Sequence, residues 1–108
     1  ISFKLEDERT VPKAPRSRYK IIEAMKLFQT HNFAKSLEAY DDCITFCQKT
    51  EEDRAVIHNI LSTKATLQYI LGKYDDSLKT LNGVLKKDPY HFLSLLRRSQ
   101  VYKKVFTS

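Results

Sequence analysis

Glycine and proline are scarce in this chain, two and three in 108 residues, and tryptophan is missing altogether. Few Gly and Pro leave little material for the tight turns of a sheet protein, and the wealth of Lys and Leu favours helix. No apolar run approaches the roughly 18 residues that a membrane-spanning helix needs. The opening residues, with Lys4, Glu6, Asp7, Glu8 and Arg9, lack the continuous apolar core of a signal peptide. Only two cysteines occur, Cys43 and Cys47, four apart within a helical pattern. They make no disulfide framework, which points to an intracellular, reducing compartment, cytoplasm or nucleus. Catalytic signatures are absent too: three isolated histidines, no glycine-rich phosphate loop, and no zinc-protease or nucleophile-elbow pattern. No base, nucleophile or cofactor site is therefore assigned, and the chain is read as non-enzymatic. It opens on Ile1 rather than Met, as expected of an excerpt from a longer protein.

The net charge of +6 is unevenly spread. Residues 1–20 hold six bases against Glu6, Asp7 and Glu8, and residues 86–108 hold six against Asp88 alone. Residues 21–85 are slightly acidic, with seven bases and nine acids. Basic ends around such a body suit an anionic partner, although solvated helix faces account for scattered Lys and Arg equally well.

Residues 1–16, with Pro12 and Pro15 and no helical period, are expected to be an extended leader. From Ser17, a candidate cap, the spacing of Ile21, Ala24, Met25, Leu27 and Phe28 predicts a first amphipathic helix. Thr30-His31-Asn32 is the turn. A second helix runs from about Phe33 to Lys49, and Thr50 and Asp53 are candidate caps for a third. The third helix ends at Leu71-Gly72-Lys73, the sharpest break in the chain. A fourth spans Asp75 to Lys87, closed by Asp88-Pro89, and a fifth spans about Tyr90 to Phe106.

These segments repeat. Ala24, Ala65 and Ser99 fall at one place in the first, third and fifth helices, the first interval exceeding the second by seven positions. Ser36 matches Ser77, Tyr40 matches Leu81, and Asn32-Phe33 matches Lys73-Tyr74. The spacing of Leu61, Ala65, Tyr69, Gly72, Tyr74, Ser77, Leu81 and Pro89 resembles the 34-residue tetratricopeptide repeat. Lys64 and Gln68 depart from its pattern in the middle copy, and Lys20, Glu23, His31 and Gln48 in the first. The seven extra residues between the first two copies, placed within Gln48 to Asn59, would lengthen the flanking helices by about two turns.

The resemblance implies an all-α, right-handed solenoid of antiparallel helix pairs, about five helices in all. Repeat one would cover about 17–50, repeat two about 53–89, and the first helix of repeat three about 90–106. It also implies a scaffold whose first helices line a concave groove for a partner segment. By repeat position that lining is Arg18, Ile21, Met25 and Phe28 from copy one and Asn59, Ser62, Thr66 and Tyr69 from copy two. Copy three supplies Leu93 and Arg97, with Gln100 and Lys103 beyond them. On so apolar a helix, Ile21, Met25 and Phe28 read equally well as core. The family's carboxylate clamp for chaperone tails would fall on Ile21, Met25, Thr63, Leu93 and Arg97, where only Arg97 fits, which argues against chaperone-tail binding.

Cys43 and Cys47 with His31 or His58 lack the second pair of ligands that marks a zinc site, so they read as small core residues. Two other functions stay open. Lys86, Lys87, Arg97, Arg98, Lys103 and Lys104, interleaved with Tyr90, Phe92 and Tyr102, suit a basic surface for RNA, an acidic membrane or an acidic protein. An accessory domain of a larger enzyme complex is the other. The apolar fifth helix points to further sequence, a partner, or self-association with another copy of the chain.

Overall fold

The computed structural model describes residues 17–51 and 53–107. The expected leader at residues 1–16 lies outside them. Among the described residues the chain is all-helical: α1 Ser17–Gln29, α2 Phe33–Lys49, α3 Arg54–Ile70, α4 Tyr74–Lys87 and α5 Phe92–Thr107. Each helix packs on the one before it, and α3 also meets α5. None is long and apolar enough to cross a membrane. Because α1 begins at Ser17 itself, the position for its cap lies outside the described residues.

Small residues set the closeness of each pair. Ser36 Oγ donates to the carbonyl of Ala24 at 2.8 Å, and Ser77 Oγ to that of Ala65 at 2.7 Å. All four residues are fully buried. A hydroxyl reaching a helical carbonyl across an interface requires the two backbones to approach with nothing larger between them. Aliphatic and aromatic side chains then fill the neighbouring turns. Tyr40, Cys43, Ile44 and Cys47 of α2 pack with Ala24, Ile60 and Leu67, while Ala65 and Leu81 pack with Val101. Both cysteines are thus core residues with no exposure. Burial, with Cys43 beside it, raises the Tyr40 phenol above its usual value.

The turns that close α1 and α3 are copies of one another. His31 (φ 64°) and Gly72 (φ 80°) both take the left-handed conformation. The following amides, Asn32 and Lys73, reach back to the carbonyls of Leu27 and Gln68 at 2.9 and 2.8 Å, the bond that satisfies the orphan carbonyls of a helix end. An aromatic pair seals each turn, Phe28 with Phe33 at 5.6 Å between ring centroids and Tyr69 with Tyr74 at 5.7 Å.

The seven extra residues are visible in the helices. Relative to α4, α2 runs three residues further, through Cys47, Gln48 and Lys49; relative to α5, α3 starts four residues earlier, at Arg54. The links at 50–53 and 88–91 are each four residues long, so the added length went into helix. Thr50 ends α2 rather than opening α3, with its Oγ1 on the carbonyl of Phe46 at 3.0 Å. Asp53 stands at the N-cap of α3 but makes no side-chain capping bond. In α4, Asp75 and Asp76 at the start and Lys86 and Lys87 at the end suit the helix dipole.

The fifth helix departs from the expected pattern. Ser99, matched by spacing to Ala24 and Ala65, is exposed, whereas Ser94 and Val101 are buried. Those two stand 34 positions after Ile60 and Leu67, also buried, so α5 keeps the face that meets the preceding pair. The face equivalent to Ala65 meets no following helix among the described residues. The helix also begins at Phe92, two residues later than expected, because Asp88 to His91 form a turn closed by the His91 amide on the Asp88 carbonyl at 3.1 Å.

Replacing Ser77 tests the close approach. Ser77→Ala removes one hydrogen bond and is expected to cost about 1 kcal/mol. Ser77→Leu must force the pair apart and should cost about 1–3 kcal/mol more. Urea unfolding of the chain reads both; a Ser77→Leu chain as stable as the parent would contradict the packing.

Candidate functional site

Alternate helices α1, α3 and α5 face a common side, and two adjoining grooves lie there. The larger, of about 540 Å³, is lined by Ile21, Met25, Phe28 and Gln29 of α1, Tyr40 of α2, and Val56, Asn59, Ile60 and Thr63 of α3. Among the described residues no charged side chain lines it. The smaller, of about 110 Å³, shares Phe28 and Thr63 and adds Ser62, Thr66, Leu93 and Arg97. Eight of the ten residues expected to contact a partner therefore line one continuous surface. Arg18 is exposed and lies outside both grooves. Tyr69 opens instead onto a third depression with Gln100, Lys103, Lys104 and Thr107.

The helical face decides which expected contacts are available. Ile21 and Phe28 are half-buried and pack on the core, yet they also line the groove. Met25 is different: it is 44% exposed, on the open side. Tyr40, Val56, Ile60 and Gln29 were not anticipated. Val56 and Ile60 lie three residues before and one after Asn59, and Thr63 four after it, so one stripe of α3 carries all four. Extending that stripe along the helix would have found Val56 and Ile60, whereas Gln29 and Tyr40 reach the groove from the other two helices.

Two expected contacts are engaged within the chain itself. The Nδ1 of His91 accepts the Ser94 amide at 3.3 Å and lies 2.8 Å from Ser94 Oγ. Because an amide can only donate, Nδ1 carries no proton, and Nε2–H donates to Asn59 Oδ1 at 3.1 Å. The Ser94 hydroxyl then donates to Nδ1 and receives the Ser62 hydroxyl at 2.6 Å. Asn59 and Ser62 thus anchor the start of α5 on α3. A serine beside a histidine invites a nucleophilic reading, but Ser62 and Ser94 are both buried. No substrate carbonyl could reach either oxygen, and the lone pair that a base would use is already shared.

The other interhelical polar contacts recur along the chain as well. Lys64 Nζ of α3 lies 2.7 Å from Asp41 Oδ1 of α2. One repeat length on, Arg98 of α5 donates to Asn82 Oδ1 of α4 at 3.1 Å. Lys64, a departure from the expected apolar pattern, is thereby accounted for. Lys20, another departure, sits over the Phe46 ring at 5.3 Å, where its charge meets the π-face and its stem covers apolar surface. Among the described residues no group of three or more His, Cys, Asp or Glu is placed to hold a metal ion.

His58 is buried, with Nδ1 3.7 Å from Asp88 Oδ2 and its ring 5.8 Å from that of His91. Burial pushes its basicity below the ordinary histidine value; His91 and Arg54 add to this, and Asp88 opposes it. The unfolded chain therefore binds the proton more readily. The stability this confers is complete above the unfolded value of about 6.5 and is lost as the pH falls through the lower folded value. Thermal melts from pH 7.5 to 5 should show a fall that His58→Asn flattens; an unchanged slope in the variant would remove His58 as its source.

Comparison with known proteins adds no relative: no protein-family model, no curated protein and no solved structure matches the chain.

Proposed function

We propose that this chain is a non-catalytic protein-interaction module, a scaffold or adaptor within a multiprotein complex, built as a right-handed tetratricopeptide-like solenoid. It holds an apolar segment of a partner protein in the groove along α1, α3 and α5. The observation that carries the reading is the uncharged groove between α1 and α3, walled by Ile21, Met25, Phe28, Val56 and Ile60. Preformed apolar clefts with a few polar groups at the edge are the usual seats of peptide side chains. Asn59, Thr63 and Gln29 supply that edge, and Arg97 stands at the end of the adjoining groove. The duplicated helix pairs support the repeat assignment: the serine–carbonyl bond, the left-handed turn and the aromatic pair of the first pair all return at matching positions in the second.

Binding here is shape complementarity on helices that are already formed, so little ordering entropy opposes it. Met25 is the anchor, since it is unbranched, open to solvent and adaptable. Arg97, half-buried and bonded to Gln100 at 3.0 Å, orients an acidic or carbonyl group of the partner.

Affinity capture with the parent chain, compared with Met25→Ala and Arg97→Glu, tests this. Met25→Ala is expected to weaken retention of the specific partner about tenfold. Its effect on folding stability should stay within about 0.5 kcal/mol, as for an exposed site. Identical partner lists from all three proteins would remove the groove from the function.

A further inference from the structure

A second groove, of about 630 Å³, lies on the other face of α3. Its floor is apolar: Ile57 and Leu61 of α3, half-buried, and Val84 of α4, fully buried. Its rim is cationic: Arg54 from α3 and Lys79, Lys86 and Lys87 from α4, all exposed. Among the described residues no carboxylate lines it and none of the four cations is ion-paired. Asp88, the nearest acid after Lys87, is turned to His58. The same helix thus supplies an uncharged groove through Val56, Asn59, Ile60 and Thr63, and a positive one through Arg54, Ile57 and Leu61. These two sets project from nearly opposite sides of a helix of 3.6 residues per turn.

We infer that this second groove binds an acidic protein segment that carries aliphatic side chains, independently of the first groove. Four cations around an apolar floor match alternating carboxylates and leucines, with the charges steering encounter and the floor holding the complex. The recessed floor distinguishes this ligand from an anionic bilayer, whose flat surface meets the rim but cannot reach down to Ile57 and Leu61. Among the described residues no Phe, Tyr or Trp lines the groove, and the one ring that does, His58, is buried, so there is no exposed platform on which a nucleic-acid base would stack. Gly83 completes the shape: it is helical and exposed, and a Cβ there would meet nothing within 4 Å. The groove is open at that point because glycine leaves it open.

That glycine provides the test, since a side chain fills the groove without straining the fold and glycine is itself a poor helix former. The isotopically labelled chain is titrated with three probes. One is a twelve-residue peptide of alternating Glu and Leu pairs, one a thymidine oligonucleotide, and one vesicles of phosphatidylcholine with phosphatidylserine. The peptide is expected to shift the resonances of Ile57, Leu61, Gly83 and Val84. Gly83→Leu should weaken it about tenfold with no fall in melting temperature, and the Lys79→Glu, Lys86→Glu pair by about tenfold or more. Oligoglutamate of equal charge should bind about tenfold more weakly, because it leaves the floor empty. Shifts confined to Ile21, Met25 and Ile60, an unchanged affinity in Gly83→Leu, or stronger binding to the oligonucleotide or the vesicles would each overturn the assignment.

Discussion

A buried serine hydroxyl on a helical carbonyl is the contact on which this architecture depends. Ser36 on Ala24 and Ser77 on Ala65 bring two helix backbones together where any larger side chain would hold them apart. That closeness dictates the rest of each pair. The connecting turn must be short, so a residue in the left-handed conformation ends the first helix, and an aromatic pair fills the wedge that opens beside it. Glycine meets the backbone requirement without cost at Gly72, whereas His31 meets it with the strain that an L side chain carries there. The two copies thus share a geometry without sharing all their residues.

Between copies the contacts have another character. Lys64 with Asp41 and Arg98 with Asn82 join successive helix pairs at the surface, and a chain from the buried Ser62 and Ser94 through His91 to the exposed Asn59 joins them further in. Buried apolar side chains, Ile60, Leu67 and Val101, supply the bulk of the contact beneath them. This division explains how seven extra residues were accommodated between the copies. Three prolong α2 and four prolong α3, with the four-residue link unchanged, so the packing surfaces lengthen without a change of register.

Much of this was legible in the sequence because periodicity reports which face of a helix is apolar. The spacing of Ala24, Ser36 and Tyr40, repeated at Ala65, Ser77 and Leu81, located both pairs and their buried seams. Periodicity does not report whether a neighbour arrives to cover a face. Ser99 carries the same local signal as Ala65 and is exposed, because burial is a property of two helices and only one is described there. Local reading misjudged caps for a related reason: Thr50 suits the start of a helix or the end of one, and the carbonyl of Phe46 decides between them. Asn59 and Ser62 lie on the groove side, but their engagement by His91 and Ser94 joins residues far apart in the chain and so leaves no local signal. Half of the cationic rim had a sequence signal, Lys86 and Lys87 in the basic C-terminal stretch; Arg54 and Lys79 had none, since they stand on different helices and in a stretch of net negative charge.

Helix α3 is where these constraints meet, since it walls the uncharged groove with one face and floors the cationic groove with the other. Its position is held from three sides: by Ser77 of α4 on the Ala65 carbonyl, by Asp41 of α2 on Lys64, and by Ser94 of α5 on Ser62. For a ligand in one groove to alter the other, α3 would have to adopt a second arrangement that the ligand prefers. A rotation or slide sufficient to reshape either groove would break those three contacts together and draw the Ala65 seam apart. The differential affinity of a single peptide would have to exceed that combined loss before any coupling appeared. Such a helix separates the two grooves chemically while fixing the distance between them, so that two segments bound as proposed would keep a constant relation.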